Sequence, residues 1–251
     1  MKVILTGSGQ GIGEGILELF LAEGHEVAAV DPAYEKTDFG PGRASKEHRF
    51  KVDVSDDEAV KQMVADAAAA MGGIDVVINN AGIGGPRKPI EEFTNEEWRV
   101  VHAVNLDGPF YIIRAALPHL RQSKLPSIIN VVTTSVKTGL PLRVPYVTSK
   151  AGLLEMTRTL ARELGPEGIR CNAILPGAIE NERGDNLLRA RAERMGVSYE
   201  EAKKYRLGFV SMRTRMRPKD LAEMALFLAS DRAERVSGQA ISVDGNVEWE
   251  D

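Results

Sequence analysis

Short apolar runs typical of β-strands alternate along this chain with longer amphipathic segments typical of α-helices, and no other feature constrains its fold as strongly. The predicted strands cover residues 3–5, 26–30, 50–52, 74–78, 127–132, 169–175 and 240–243, and the predicted helices cover 12–22, 58–71, 96–120, 146–164 and 220–229. Within the long helical region we expect a bend at Pro109. The run at 74–78 is apolar at nearly every position, which indicates a strand buried on both faces.

This order of elements predicts βαβ units, and right-handed crossovers then place helices on both faces of a parallel sheet. We therefore predict an α/β protein with one doubly wound, Rossmann-like domain over residues 1–251 and a parallel sheet of about seven strands. Residues 178–217, between the sixth strand and the next helix, are too many for a plain connection. We expect this insertion to carry helices of its own and to cover a substrate.

Composition excludes several classes of protein. The 251 residues carry a formal net charge of −4, which predicts no nucleic-acid partner and no attachment to a membrane surface. No run is long enough to span a bilayer, no targeting segment is visible, and the single cysteine, Cys171, fits a reducing compartment. The four histidines are scattered, so we expect no metal site. From the lack of a membrane-spanning or targeting run and from the single cysteine, we expect a soluble, cytoplasmic protein.

The turn after the first predicted strand reads TGSGQGIG, from Thr6 to Gly13. The G-x-G-x-x-G pattern fails at Ile12, whereas T-G-x-x-x-G-x-G fits through Gly7, Gly11 and Gly13. Glycines let the backbone approach a pyrophosphate, and the N-terminus of the following helix attracts its charge. A strand, a glycine-rich turn and a helix in this order predict a dinucleotide site.

Asp31 closes the second predicted strand. A carboxylate at this place accepts hydrogen bonds from both ribose hydroxyls of a dinucleotide and repels a 2′-phosphate. The neighbouring Pro32 and Ala33, like Gly9 and Gln10 in the glycine-rich turn, offer no cation for such a phosphate. The sequence therefore favours NAD over NADP, the alternative being that Asp31 only begins a turn.

The segment NVVTTSVKTGLPLRVPYVTSK places Tyr146 and Lys150 one helical turn apart, so that both side chains can point at one site. A free tyrosine has a pKa near ~10, and an adjacent ammonium favours its phenolate form. The pair is therefore a candidate for proton transfer to or from an alcohol. Three hydroxyl residues, Thr133, Thr134 and Ser135, come shortly before it, and one of them is expected to hold the substrate oxygen.

Taken together, these motifs resemble the short-chain dehydrogenase/reductase family over essentially the whole chain. Besides the glycine-rich turn, Tyr146 and Lys150, the matching segments are Asp53 with Val54, the run Asn79, Asn80, Ala81, Gly82, then Asn105 in VNLDGPF, Pro176 with Gly177, FLASD at 227–231 and SGQAISVDG at 237–245. The resemblance implies a compact oxidoreductase that moves a hydride between a nicotinamide cofactor and an alcohol or ketone.

The resemblance also implies roles for individual residues. The cofactor contacts would be Gly7, Ser8, Gln10, Gly11, Ile12, Gly13, Asp31, Asp53, Val54, Asn80, Ala81, Gly82, Tyr146, Lys150, Pro176, Gly177 and Ile179. Tyr146 would exchange the proton of the alcohol, Lys150 would also bind the nicotinamide ribose, and Asn105 would hold a water that relays protons.

Geometry and resemblance choose among the three hydroxyls. If the fifth strand continues far enough, Thr133 and Ser135 share one face, and Thr134 takes the other. The family's catalytic serine normally lies 13 residues before the tyrosine, a position that Thr133 occupies here. We therefore assign the role to Thr133, whose extra methyl group and stiffer side chain depart from the family pattern, with Ser135 as a second substrate contact.

Two other positions depart from the pattern. Asn181 stands where a threonine often binds the nicotinamide amide, and Asn246 stands where a second glycine is common. The insertion is rich in arginine, with Arg183, Arg189, Arg191 and Arg194 on a predicted helix, which suits a polar or anionic substrate. A solvated helical surface explains the same charges. The candidate substrate contacts are Ser135, Arg143, Asn181 and Arg183.

We therefore expect an NAD-dependent dehydrogenase/reductase that acts on a secondary alcohol or ketone, such as a sugar, polyol or hydroxy acid. One alternative is an NADP-linked 3-oxoacyl-type ketone reductase, against which Asp31 argues. The other is a catalytically silent NAD-binding sensor, against which Asn105, Tyr146 and Lys150 argue. The resemblance further implies a homo-oligomer, either a tetramer or a dimer.

Overall fold

The computed structural model describes residues 1–35, 38–41 and 45–247, with the side chains of residues 38–41, 183 and 187 outside the description. Its strands are β1 (Lys2–Thr6), β2 (Glu26–Val30), β3 (Asp38–Pro41), β4 (Glu47–Phe50), β5 (Val76–Asn79), β6 (Ser127–Val131), β7 (Arg170–Pro176) and β8 (Ala240–Val243). Its α-helices are α1 (Gly11–Ala22), α2 (Asp57–Met71), α3 (Asn95–His102), α4 (Gly108–Leu120), α5 (Ser135–Thr138), α6 (Val144–Leu164), α7 (Glu182–Met195), α8 (Tyr199–Leu207) and α9 (Pro218–Ala229). None of the described helices combines the length and the apolar character needed to cross a membrane.

The described strands form one sheet in the order β3-β4-β2-β1-β5-β6-β7-β8. All neighbouring pairs are parallel except β3 and β4, which pair antiparallel at one edge. The strand order reverses between β1 and β5, so the sheet has its topological switch point there. The predicted doubly wound fold with seven parallel strands is confirmed, and β3 is an additional edge strand that the sequence pattern did not indicate.

Side chains of the central strands alternate between two buried layers. In β1, Ile4 packs into the layer that α2 and α4 cover, while Val3 and Leu5 pack into the layer that α1 and α9 cover. Because helices cover both faces, nearly every strand position is apolar, as predicted for residues 74–78.

The third parallel strand lies earlier than predicted. It is β4 (Glu47–Phe50) rather than residues 50–52, and Glu47 pairs with Val27 of β2. The Glu47 side chain is fully buried, with Oε1 2.8 Å from Nε of Arg49. The apolar pattern missed this strand because a buried ion pair takes places that apolar side chains usually fill.

The long helical region deviates from regular α-helix before Pro109, not at it. Residues Ala103–Asp107 form a π-helical turn between α3 and α4, and Pro109 lies in the first turn of α4. Such π-helical turns often mark functional sites. The π-turn carries Asn105, whose side chain is fully buried.

The segment 178–217 contains α7 and α8 and closes on itself at its base. The Met216 N–H donates to the Ala178 carbonyl, and the Glu180 N–H donates to the Met216 carbonyl, both at 2.8 Å. These bonds fix the two ends of the segment beside the end of β7. We call the segment 178–217 the lid, and that it covers a substrate stays a prediction.

A polar cluster holds the lid helices to its return segment. Oδ1 of Asp185 on α7 accepts hydrogen bonds from Nη1 of Arg215 at 2.7 Å and from the hydroxyl of Tyr199 at 2.9 Å. The Arg215 guanidinium is the main reason that the pKa of Asp185 lies below its usual value. Sequence reasoning had not singled out this cluster, because its three residues are far apart along the chain.

Candidate active site

The carboxyl ends of β1, β5, β6 and β7 lie side by side at one edge of the sheet, and the loops that follow them carry the predicted site residues. In α/β sheets, ligands bind at this edge beside the switch point.

The glycine-rich turn is closely packed against the loop after β5. A Cβ atom on Gly13 would lie 1.9 Å from the Gly7 carbonyl oxygen, so only glycine fits there. Nδ2 of Asn80 donates to the Gly7 carbonyl at 2.9 Å and to the Thr6 carbonyl at 3.1 Å. In return, Oγ1 of Thr6 accepts hydrogen bonds from the N–H groups of Asn80 and Ala81, both at 3.1 Å. The two loops are thus one rigid unit.

The start of α1 fits a dinucleotide pyrophosphate. The helix begins at Gly11 after the extended Gln10, whose side chain makes no capping hydrogen bond. Its first N–H groups are therefore available to an anion, and the helix dipole favours negative charge at this end. A Cβ atom on Gly11 would meet only Nδ2 of Asn181, at 3.6 Å, which leaves room for a ligand above the turn. Ile12 packs partly against the layer under α1.

Ser8 does not point at this space. Its side chain is fully buried, and its hydroxyl donates to the Val30 carbonyl at 3.3 Å and contacts the hydroxyl of Tyr34 at 2.9 Å. The predicted cofactor contact of Ser8 is therefore limited to its main chain. Burial raises the pKa of Tyr34, and sequence reasoning missed this residue because no motif marks it.

The Asp31 carboxylate is 8% exposed. The sequence offered two interpretations of it, a ribose contact or the start of a turn, and its hydrogen bonds are compatible with both. Oδ2 accepts from the Gly9 N–H and Oδ1 from the Ala33 N–H, both at 2.9 Å, so Asp31 orders the glycine-rich turn and also begins a turn of its own. Each oxygen retains a further lone pair for a ribose hydroxyl. A cation, Arg49, stacks 5.4 Å from the Tyr34 ring centre nearby, but its Nε is paired with Glu47.

Asp53 and Val54 follow β4 at the same edge. Oδ1 of the exposed Asp53 accepts from the N–H and the hydroxyl of Ser55, at 2.9 and 2.8 Å. Val54 is buried against Gly108, where a Cβ atom would lie 2.8 Å from its Cγ2. Val54 is thus packed against the start of α4, and its predicted contact with adenine stays a prediction.

The side chains of Lys150 and Asn105 converge below the loop after β5. Nζ of Lys150 donates to the Val131 carbonyl at 2.8 Å, and the residue is only 4% exposed. Burial lowers the pKa of Lys150 to about 8, so its ammonium is still charged at neutral pH. A Cβ atom on Gly82 would lie 3.2 Å from Nζ of Lys150 and 3.2 Å from Oδ1 of Asn105, so both groups border the same small space.

Asn105 is held on both sides. Its Oδ1 accepts from the Ile83 N–H at 2.8 Å, and its Nδ2 donates to the Ile83 carbonyl at 2.9 Å and to Oγ of Ser149 at 3.0 Å. Ser149 in turn donates to the main-chain carbonyl of Tyr146 at 2.8 Å. Asn105 therefore joins the π-turn, the loop after β5 and the start of α6, and its amide is occupied by protein groups.

Tyr146 lies on α6 one turn before Lys150, half-buried, in the position that the sequence predicted for a proton-transfer pair. Within the described part of the chain, its hydroxyl has no hydrogen-bond partner. The phenol is therefore free to make a hydrogen bond to a bound molecule.

The structure separates the three hydroxyl residues. β6 ends at Val131 and α5 begins at Ser135, so the strand does not extend through the triplet as the face argument required. Thr134 is committed to β7, since its N–H and its hydroxyl both donate to the Pro176 carbonyl, at 3.1 and 3.2 Å. Oγ1 of Thr133 instead donates to Oγ of Ser135 at 3.3 Å. Thr133 and Ser135 thus lie together for a different reason from the predicted one.

We expect Thr133→Val to lower kcat/KM by about 10²-fold, because a hydrogen bond to the substrate oxygen is lost while the side-chain shape is kept. Thr133→Ser should stay within about tenfold of wild type, since it retains the hydroxyl. Steady-state kinetics with a fluorescence titration of NADH measures both effects. Unchanged activity in Thr133→Val together with loss in Ser135→Ala would transfer the role to Ser135.

Pro176, Gly177 and Ile179 bring the chain from β7 to the lid. A Cβ atom on Gly177 would lie 2.7 Å from Cα of Asp244, so the close approach of two main chains requires glycine. Ile179 pairs with Met216 in an isolated bridge at the base of the lid.

Asn246 lies in the loop after β8, close to this approach. Its φ of 60° explains why asparagine can stand where a second glycine is common, because asparagine tolerates the left-handed region better than most residues.

The predicted substrate contacts have different surroundings. Oδ1 of Asn181 accepts from the Gly184 N–H at 2.7 Å and caps α7, while its Nδ2 faces Gly11. Nη1 of the buried Arg143 donates to the Gly84 carbonyl at 2.6 Å and to the Gly85 carbonyl, so it supports the loop after β5. The side chain of Arg183, on α7, is outside the described part.

The chain is similar to several known proteins along nearly its whole length. A family model described as enoyl-(acyl carrier protein) reductase matches residues 7–247. The chain is 33% identical to the 3-oxoacyl-acyl-carrier-protein reductase FabG of Thermotoga maritima, over 97% of this chain and 96% of that protein. It is 34% identical to the probable galactose dehydrogenase GalD of Rhizobium meliloti, over 98% of this chain and 94% of that protein. The solved structure of ligand-free aldohexose dehydrogenase from Thermoplasma acidophilum superposes with a TM-score of 0.85 at 29% identity, covering 97% of this chain and 92% of that chain.

Proposed function

The chain belongs to the short-chain dehydrogenase/reductase family, and we propose that it transfers a hydride between NAD and the carbon of a secondary alcohol or ketone. One observation carries this proposal. Lys150 is a buried ammonium whose depressed pKa has desolvation as its cause, without a carboxylate to compensate it, one helical turn from the free hydroxyl of Tyr146. Burying such a charge is costly, so its retention indicates a catalytic use.

The cofactor, when bound, supplies the hydride acceptor or donor. The residues of the chain supply position and proton transfer. The Tyr146 hydroxyl takes the proton of the alcohol during oxidation and returns it during reduction, and the Lys150 ammonium lies one helical turn away. Thr133 donates a hydrogen bond to the substrate oxygen. Asn105 keeps the π-turn, the loop after β5 and α6 in register, and the proton-relaying water expected beside it stays a prediction.

We propose the preference for NAD over NADP from the position of Asp31. The other proposed cofactor contacts are the predicted residues of the glycine-rich turn and of the loops beside it. A 2′-phosphate beside Asp31 would meet a buried carboxylate that two main-chain N–H groups hold in place. Like charges at such short range are strongly unfavourable where little water screens them. Arg49, the cation that stacks on Tyr34, could attract a 2′-phosphate, but its Nε already pairs with Glu47.

We expect the protein to bind NADH at least about tenfold more tightly than NADPH, and Asp31→Asn to reduce that preference by about tenfold or more. Fluorescence titrations of both cofactors measure the ratio. Asp66→Asn, which neutralises a half-buried carboxylate on α2 that accepts a hydrogen bond from Gln62, is the matched control and should leave the preference unchanged. Tighter binding of NADPH by the wild type would favour the second candidate, a 3-oxoacyl-type reductase, to which the FabG relative points.

We propose a polar secondary alcohol as substrate, such as a sugar, polyol or hydroxy acid. The similarity to sugar dehydrogenases supports this class. Turnover across a panel of such alcohols with NAD tests it, and NAD binding without turnover of any of them would indicate a silent sensor.

We also propose that the protein is cytoplasmic and acts as a homo-oligomer, a dimer or tetramer. The exposed Trp98, Val100 and Phe110 on α3 and α4 offer an apolar face to a second copy, and light scattering measures the assembly.

A further inference from the structure

Four arginines from three separate segments gather at the lid. Arg87 lies in the loop after β5, Arg191 and Arg194 lie on α7, and Arg206 lies on α8. The Arg191 guanidinium stands 4.9 Å from the ring centre of Tyr205, the residue next to Arg206, so it reaches across from α7 to α8. We call Arg87, Arg191, Arg194 and Arg206 the arginine cluster.

The positive charges of the cluster are close enough to repel one another. Burial and the charges of Arg191 and Arg87 lower the pKa of Arg206. Burial and the charges of Arg194 and Arg191 lower the pKa of Arg87. No carboxylate contributes to either effect, although acidic residues are common elsewhere on the lid. Arg191 and Arg206 are half-buried, whereas Arg87 and Arg194 are exposed. Half-burying two guanidinium groups beside two further positive charges without an acid destabilises the protein, so the arrangement needs a different explanation from stability.

Most N–H groups of these guanidinium groups are also unused by the protein. Within the described ranges, the side chains of Arg87, Arg191 and Arg206 make no hydrogen bond or ion pair, and Nε of Arg191 is buried without a partner. Other arginines of the region differ: Arg215 pairs with Asp185, and Arg143 donates to loop carbonyls. A guanidinium offers five donors, so the cluster presents many unsatisfied N–H groups to one region.

The cluster lies beside the candidate active site. The Lys88 N–H donates to the Leu142 carbonyl at 3.2 Å, which fixes the loop carrying Arg87 against the segment just before α6 and Tyr146. The lid helix α7 comes near the same loop, since the charges of Arg191 and Arg194 act on Arg87. An anionic group held by the arginine cluster would therefore lie near the segment that precedes Tyr146.

We propose that Arg87, Arg191 and Arg206 bind an oxyanionic group, a phosphate or carboxylate, that the substrate carries apart from its reacting alcohol. This inference rests on the proposed function and names the class of substrate. Guanidinium groups bind both oxyanions through paired, charge-assisted hydrogen bonds. A phosphate dianion is favoured over a single carboxylate, because several uncompensated positive charges meet at one place.

Calorimetric titration of inorganic phosphate and, in parallel, acetate into the full-length protein tests the site, with and without saturating NADH. We expect phosphate to bind, and Arg206→Gln and Arg87→Gln each to weaken its affinity by about tenfold or more. Lys204→Gln removes one positive charge from the exposed face of the same helix as Arg206 and is the matched control; it should stay within about twofold. The stronger of the two anions identifies the group that the substrate carries.

Thermal melting separates a binding role from a structural one. Without phosphate, Arg206→Gln should melt at or above the wild-type temperature, because it relieves repulsion and burial of charge. Added phosphate should raise the melting temperature of the wild type more than that of the variant. Absence of phosphate binding in the wild type, equal weakening by Lys204→Gln, or a lower melting temperature in Arg206→Gln would overturn the proposal.

These measurements do not depend on turnover. Phosphate binding that requires Arg206 in a protein without dehydrogenase activity would refute the proposed function and leave the anion site intact. Turnover of neutral alcohols with no effect of Arg206→Gln on phosphate binding would do the reverse. Where turnover is found, a phosphorylated sugar or hydroxy acid should exceed its neutral counterpart in kcat/KM by about tenfold, and Arg206→Gln should abolish that advantage.

Discussion

Replacing Tyr146 with phenylalanine is expected to lower kcat by about 10³-fold while the affinity for NADH stays within about twofold of wild type. The change removes a single oxygen atom. That oxygen has no hydrogen-bond partner in the described part of the chain, so the folded protein loses no contact with it. Stopped-flow or steady-state rates with the best alcohol of the panel, together with a fluorescence titration of NADH, measure the two quantities.

The large effect follows from the position of the phenol. Proton transfer by a placed side chain contributes about 10² to 10⁴-fold to a rate. Lys150, with a pKa of about 8, carries a mostly charged ammonium at neutral pH one helical turn from Tyr146. Phenylalanine keeps the ring and its packing, so a loss of rate reports the missing proton donor and not a disturbed helix.

Tyr111→Phe is the matched control, because it removes a tyrosine hydroxyl from α4, where the ring packs against the core. It should leave both rate and affinity unchanged. A Tyr146→Phe variant that keeps more than about a tenth of the wild-type rate would exclude Tyr146 as the acid/base group.

Replacing Gly13 with alanine is expected to weaken NADH binding by about 100-fold or more and to lower the free energy of unfolding by about 3 kcal/mol. Alanine is a better helix former than glycine, so local propensity alone predicts a slight stabilisation. The tertiary contact has the opposite effect and is much larger. The new methyl group would lie 1.9 Å from the Gly7 carbonyl oxygen and 2.6 Å from Nδ2 of Asn80.

The Gly13 methyl would force apart the glycine-rich turn and the loop after β5, breaking the hydrogen bond from Asn80 to Gly7. Gly168→Ala is an informative control because its φ is +77° and a Cβ atom there would meet nothing within 4 Å. Gly168→Ala should lower the free energy of unfolding by only about 1 kcal/mol, because the left-handed backbone is its sole source of strain. Chemical denaturation and NADH titration compare the two variants. Near-wild-type NADH binding by Gly13→Ala would show that the turn can accommodate a methyl group at this position.

The sequence predicted the parts of the site that depend on neighbours along the chain. The spacing of Tyr146 and Lys150 places both on one helix face in any α-helix, and a strand followed by a glycine-rich turn and a helix forms a phosphate site wherever it occurs. Periodicity likewise predicted the parallel sheet, because strands covered on both faces are apolar throughout. Regions where polar residues pair inside the core, such as Glu47 in β4, escaped that analysis.

Alternation and motif spacing thus determined, from the sequence by itself, the doubly wound fold, the glycine-rich turn and the Tyr146–Lys150 pair, because each arises from contacts within a few residues. Only the tertiary structure decided that Thr134 is bound to the Pro176 carbonyl and that Arg143 supports a loop. It also decided that arginines from three segments share one place without an acid. Those outcomes depend on contacts between residues tens of positions apart. No local pattern specifies such contacts, because the order of strands in the sheet decides which loops lie side by side.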